Sequence, residues 1–173
     1  MNVTSIDSSR KFVKGRIAET IFVEMFRKAR NFTVLPFGYE YLVPELAHLQ
    51  HVIPSGNATM ETIRHAPDFV VINTKKCEVS LIEVKYQMNP KSEHILKDAK
   101  KMSEYWKESY LFLATPEGFF MDKASAITDG DGVIKPLKFE TISKKLQEDY
   151  CKLLNEFIKQ QEREPISSAI KPA

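Results

Sequence analysis

Ala66-Pro67-Asp68-Phe69-Val70-Val71-Ile72-Asn73, followed by Glu78-Val79-Ser80-Leu81-Ile82-Glu83-Val84-Lys85-Tyr86-Gln87, is the stretch whose reading decides the fold of this chain. Both runs are rich in β-branched and aromatic residues. A polar break from Asn73 to Cys77 separates them, which predicts two antiparallel strands joined by a short turn. Side chains alternate between the two faces of a strand. Val79, Leu81, Glu83, Lys85 and Gln87 therefore share one face, and Ser80, Ile82, Val84 and Tyr86 share the other. Two apolar residues and then three polar ones follow each other along a single face, an order that packing alone does not require. Hairpin pairing brings the start of the first strand to the end of the second. Asp68 and Glu83 are thus expected to meet at one edge of the sheet, with Lys85 beside them. Two such carboxylates repel unless a cation stands between them, and Mg2+ prefers one or two carboxylates plus waters. Lys85 would orient or deprotonate a water held by that cation, or neutralise charge developing on a phosphate. The other reading of the same residues is an exposed hairpin with a Glu–Lys pair of little energetic weight.

The rest of the chain bounds these readings. At 173 residues it has the length of one domain, expected over 1–161, with a tail over 162–173 that contains Pro165 and Pro172. Hydrophobic residues make up 43%, enough for a sizeable core, and charged residues 28%, an ordinary level. The formal net charge of +2 excludes a global basic field, so any positive surface must be local. No apolar run approaches a membrane span and the first residues lack the apolar stretch of a signal peptide, so no membrane partner is expected. The two cysteines, Cys77 and Cys151, are too few for a disulfide framework or a zinc cluster, and a reducing cytoplasm is the simplest compartment.

Before the hairpin, Met1 to Ser9 read as a loose polar segment, with Ser8 or Ser9 capping a helix from about Arg10 to Ala29. Phe12, Ile17, Ile21, Phe22, Met25 and Phe26 recur in it at helical spacing and predict a buried stripe. Glu19 lies in the same helix, and on a solvated face it would pair with Arg16 three residues back. Thr33 to Phe37 reads as a strand that Pro36 confines to an edge or a bulge. Val43 to Gln50 reads as a short helix and His51 to Thr59 as a loop. His48, His51 and His65 fit no compact zinc spacing. His65, three residues before Asp68, is the histidine placed to approach a substrate or a phosphate, and an ordinary polar loop residue is the alternative.

After the hairpin, a helix is expected from about Ser92 to Lys107, with Ile95, Ala99, Met102 and Trp106 on its buried side. Lys97, Lys100 and Lys101 form the densest local basic patch, suited to phosphate contacts that carry no sequence information, or else a solvated face balanced by Glu93, Asp98 and Glu104. Ser109 to Ala114 reads as a buried strand, and the strand–helix–strand order predicts a parallel crossover. Phe119-Phe120-Met121 reads as apolar chain packed under the sheet, Asp129 to Gly132 as a turn, and Val133 to Phe139 as a last short strand. A terminal helix is expected from about Thr141 to Gln161, and its length makes it an available interface for a homodimer.

Pro67-Asp68, fourteen intervening residues and then Glu83-Val84-Lys85 resemble the signature of the PD-(D/E)XK nuclease superfamily, the restriction-endonuclease-like fold. The resemblance spans roughly Lys11 to Ala114. It implies an α/β fold with an αβββαβ core, a mixed central sheet flanked by helices, here with an extra C-terminal helix. It also implies a Mg2+-dependent nuclease, with Mn2+ able to substitute, acting on nucleic acid, with DNA the expected substrate and endonucleolytic cleavage the expected mode. Asp68 and Glu83 would hold the metal, with the backbone carbonyl of Val84 completing its shell, and Lys85 would position the attacking water. Gly15-Arg16-Ile17-Ala18-Glu19 is similar to the Gly-x-x-x-Glu setting in which the family's first helix lends an acid to the metal, which would add Glu19. Gln87 is similar to a polar residue that holds phosphate or water in several branches. RecB-like members carry a Gln and a Tyr four residues apart on the following helix, and here Lys101 stands in place of the Gln before Tyr105. Two alternatives stand beside this reading: a non-catalytic DNA-binding or assembly module on the same fold, and a small α/β protein in which the motif is coincidental.

Overall fold

The computed structural model describes residues 3–42, 56–138 and 142–163. Helix α1 (Val3–Lys28) leads into strand β1 (Phe32–Pro36) and a short helix α2 (Tyr39–Leu42). Helix α3 (Ala58–Arg64) precedes the hairpin of β2 (Phe69–Asn73) and β3 (Glu78–Tyr86). Helix α4 (Ser92–Tyr105), strands β4 (Ser109–Thr115) and β5 (Gly118–Lys123), helix α5 (Ala124–Asp129) and helix α6 (Lys144–Arg163) follow.

The strands form one five-stranded sheet in the order β1-β2-β3-β4-β5. Pairing is antiparallel except between β3 and β4, which α4 joins by a crossover. Pro36 ends the edge strand β1, where a missing N–H costs no inner ladder bond. Alternation along β4 sends Phe112 and Ala114 to one face and Leu111 and Leu113 to the other, and all four are buried. On the first face Ala18, Ile21, Phe22, Met25 and Phe26 of α1 pack with Phe69, Ile82, Val84 and Phe112, joined by Leu154 and Ile158 of α6. Phe22 is the hub, with ring centroids 4.4 Å from Phe26, 4.8 Å from Phe112 and 5.4 Å from Phe69. On the second face Leu111 and Leu113 meet Ile95, Ala99 and Met102 of α4 and Ala124 and Ile127 of α5. The molecule is therefore a mixed α/β structure with helices on both faces of the sheet.

Several elements depart from the sequence expectation. Helix α1 starts at Val3, so Ser8 and Ser9 lie inside it rather than at its cap. Residues 6–12 are exposed, and Asp7 and Arg10 face each other one turn apart at 3.9 Å. Helix α3 begins where a loop was expected: Asn57 Oδ1 accepts from the Met60 N–H at 3.0 Å, and Met60 is buried beneath it. Phe119-Phe120-Met121 belongs to a true strand, β5, which alternates buried Phe119 and Met121 with half-buried Phe120. Chain Val133 to Lys138 makes only an isolated bridge, Phe120 to Pro136, closed by Leu137 N–H to the Phe119 carbonyl and Met121 N–H to the Lys135 carbonyl, each at 2.9 Å. Gly132, at φ 85°, lets that turn press on α4: a Cβ there would stand 2.2 Å from the Ser92 carbonyl oxygen. Helix α6 starts at Lys144 and reaches Arg163, past the expected tail boundary. The short helix expected over Val43–Gln50, most of the following loop and residues 164–173 lie outside the described residues.

Candidate active site at the open end of the β2–β3 hairpin

Register builds the site. Phe69 pairs with Ile82, so continuing the ladder one step sets Asp68 opposite Glu83, and a second step sets Pro67 opposite Val84. Pro67 has no N–H to give, and regular pairing stops there. The Asp68 side chain takes over: its Oδ2 accepts from the Val84 N–H at 2.8 Å. The Asp68 backbone is fixed as well, its carbonyl accepting from Phe37 N–H at 2.8 Å and Gly38 N–H at 3.3 Å at the end of β1. On β3, Ile82 and Val84 point into the core shared with α1, so Glu83 and Lys85 emerge on the α4 face. Lys85 Nζ donates to Glu83 Oε1 in a short, close ion pair. Its side chain stays 41% exposed, against 17% for Glu83.

These groups lie in a cleft of about 390 Å3. α1 forms one wall with Phe12, Arg16 and Glu19, and α4 the other with Asp98, Lys101 and Met102. Tyr39 and Tyr41 after β1 and Arg64 and His65 at the end of α3 complete the rim. His65 is held on two sides. Its ring stacks on Tyr105 with centroids 4.5 Å apart and planes 7° from parallel, and Nδ1 lies 2.6 Å from the Glu61 carbonyl oxygen. A carbonyl only accepts, so Nδ1 carries the proton and Nε2 is the ring's remaining polar atom.

Electrostatics single out Asp68. Burial, then the charge of Glu83 and more weakly that of Glu19, push its carboxyl up to about 7, against the opposing pull of the Val84 N–H and Lys85. For Lys85, burial favours the neutral form, but Glu83, Asp68 and Asp98 outweigh it and raise its pKa, so it stays an ammonium at neutral pH. A raised carboxyl beside a second acid is a deficit of positive charge that a divalent cation would relieve. Among the described residues no group of three or more His, Cys, Asp or Glu side chains is placed to hold one ion. The donor set is thus two oxygen-bearing side chains, which fits Mg2+ with retained waters and does not fit a closed zinc site.

The structure brings Asp68, Glu83, Lys85, Glu19, His65 and Lys101 to one cleft. Glu19 lines the cleft and accepts from Arg16 Nη1 at 2.8 Å, the pairing expected of it on the helix surface, and it does not join Asp68 and Glu83 in a three-acid group. The Val84 side chain is buried in the core. Lys97 and Lys100 are exposed on α4 outside the cleft lining. Gln87 lies just past the end of β3, also outside the lining, and its Oε1 is buried with no hydrogen-bond partner among the described residues.

Phe12 corrects the expected stripe, since it is 63% exposed at the cleft rim rather than buried. At about 100° per residue it stands roughly 80° around the helix from Phe22, but nearly in line with Glu19. Phe12, Arg16 and Glu19, spaced i, i+4 and i+7, form a separate face, and that spacing is the signal that would have found it. Tyr41 and Asp98 carried no comparable signal. No protein-family model matches the chain, and no curated protein sequence matches it. Among the described residues no helix is long and apolar enough to cross a membrane.

Proposed function

We propose that this chain is a metal-dependent nuclease that hydrolyses phosphodiester bonds, with DNA as the expected substrate, on a restriction-endonuclease-like core. The observation that carries the reading is the convergence of Asp68, Glu83 and Lys85 at the open hairpin end, with Asp68 locked by the Val84 N–H at 2.8 Å. Apart from the short helices α2 and α3 between β1 and β2, the order α1, β1, β2, β3, α4, β4 supports it, being the αβββαβ order that the resemblance implies.

Asp68 and Glu83 would hold Mg2+, or Mn2+ in its place, and the Val84 carbonyl is the third donor that the resemblance implies. When bound, such an ion supplies Lewis-acid charge at the phosphodiester and makes a nucleophilic water accessible at neutral pH. The chain's own groups do the rest. Lys85, cationic at neutral pH, donates hydrogen bonds to the attacking water or to a phosphate oxygen and does not serve as the base. Lys101 faces the cleft and pairs with substrate phosphate as a point charge. Glu19, paired with Arg16, adds a weaker negative charge that acts on Asp68 after that of Glu83.

The test is cleavage of plasmid, linear, single-stranded and branched DNA with Mg2+, Mn2+ or EDTA, beside the Lys85→Ala variant. Wild type should cut only with a divalent cation, and Lys85→Ala should lose about a hundredfold in rate, the scale of one removed charge-stabilising donor. DNA binding with a steep salt dependence and no cleavage would instead mark a non-catalytic module.

A further inference from the structure

We propose that the cleft receives an unpaired nucleotide strand whose bases stack on Phe12 and Tyr41, an assignment of substrate class that rests on the nuclease reading above. Phe12 is 63% exposed and Tyr41 61% exposed, and both line the same cleft as Asp68 and Glu83. Neither ring serves the core, which Phe22, Phe26 and Phe112 fill. Two large exposed aromatic rings at the rim of a polar, charged cleft match a stacking platform, because every base presents a π-face whatever its identity.

Phe12 is also oriented. The Arg16 guanidinium carbon lies 5.2 Å from the Phe12 ring centroid, and Arg16 Nη1 reaches Glu19 Oε2 at 2.8 Å. One face of α1 thus runs from an exposed ring through a planar cation to an acid whose charge reaches Asp68. A base stacked on Phe12 stands at the start of that line, with the carboxylates at its end.

Electrostatics and size favour an unpaired strand over a duplex. The net charge is only +2. Arg16, Lys85 and Arg64 are each engaged by an acid, Glu19, Glu83 and Glu61. Lys101 adds one further cation to the lining, so the phosphate neutralisation that dominates duplex binding is modest within the cleft. The cleft volume of about 390 Å3 matches a small-molecule-sized unit. A base that enters it must have left the helical stack.

The experiment is fluorescence anisotropy with a labelled single-stranded oligonucleotide and the duplex of the same sequence, in EDTA so that nothing is cut. The proteins are wild type, Phe12→Ala, Tyr41→Ala, the double variant and Phe12→Trp, with wild-type cleavage in Mg2+ or Mn2+ measured in parallel. Wild type should prefer the single strand. Each Ala variant should weaken single-strand binding by about fivefold, the lower end for one lost stack, the double variant should lose more, and Phe12→Trp should bind like wild type. Equal affinity for both substrates, or unchanged single-strand affinity in the Ala variants, would overturn stacking even if cleavage is intact. Loss of single-strand affinity in those variants, with no wild-type cleavage in any metal, would support stacking and overturn the nuclease reading.

Discussion

The β2–β3 hairpin carries charge at both ends, and the two ends do different things. At the turn, Lys75, Lys76 and Glu78 are exposed, and Asn73 Oδ1 organises the chain by accepting from Lys75 N–H and Lys76 N–H, each at 3.1 Å. This is local turn chemistry, a side-chain amide standing in for backbone. At the open end, Asp68, Glu83 and Lys85 sit among α1, α3 and α4, and burial together with Glu83 pushes the Asp68 carboxyl up to about 7. The same residue classes are solvated in one place and frustrated in the other. Enclosure, rather than composition, makes the candidate site.

The largest expected contrast between the two ends is in activity. Asp68→Asn and Glu83→Gln should each lower metal-dependent cleavage by about a thousandfold, the scale of several kcal/mol of lost charge stabilisation. Lys76→Ala and Glu78→Gln at the turn should leave it within twofold. Initial rates on a fixed DNA substrate check this, and equal losses at both ends would erase the distinction.

A smaller effect follows from Asp68. Its pKa is raised from the ordinary 3.8 to about 7 in the folded chain, so between those values the folded state holds a proton that the unfolded state has released. Stability from this group therefore falls as pH rises from about 4 to about 7. Asp68→Asn, which stays neutral and keeps an oxygen for the Val84 N–H, should melt higher than wild type at pH 8 without metal and close to it below pH 4. Cleavage needs the ionised acid, so the wild-type rate should rise about fivefold between pH 6 and pH 7 and about tenfold by pH 8, where it levels off. Thermal melts and a pH–rate profile read the two halves of this prediction.

The smallest effect belongs to the turn. Asn73→Ala removes the acceptor of two backbone N–H groups at a position only 8% exposed, and should cost about 1 kcal/mol of stability with cleavage unchanged at saturating metal. Urea denaturation measures it.

What could be read from the chain follows the same division. The hairpin, the crossover to β4 and the meeting of Asp68 with Glu83 were legible because β-branched runs with period-two alternation admit one register. β5 was not, because Phe119-Phe120-Met121 is too short an apolar run to show a period, and its strand character comes from pairing with β4. Helix α3 was hidden by its seven residues, of which Met60 alone is buried. The cleft walls were the least legible part. Phe12 looked like core by type, and the i, i+4, i+7 face that carries it toward Glu19 acquires meaning only once α1 is laid beside the open hairpin end.

These predictions depend on one end of the hairpin holding a divalent cation and the other not. The direct test is paramagnetic broadening of backbone amide signals by Mn2+ in 15N-labelled protein. Glu78 lies five residues along β3 from Glu83, about 17 Å at strand spacing, so the two ends are resolved. The account predicts that substoichiometric Mn2+ erases the amides of Asp68, Glu83 and Val84 and spares those of Lys75 to Glu78, and that Mg2+ restores them. Broadening at the turn instead, or at neither end, would contradict it.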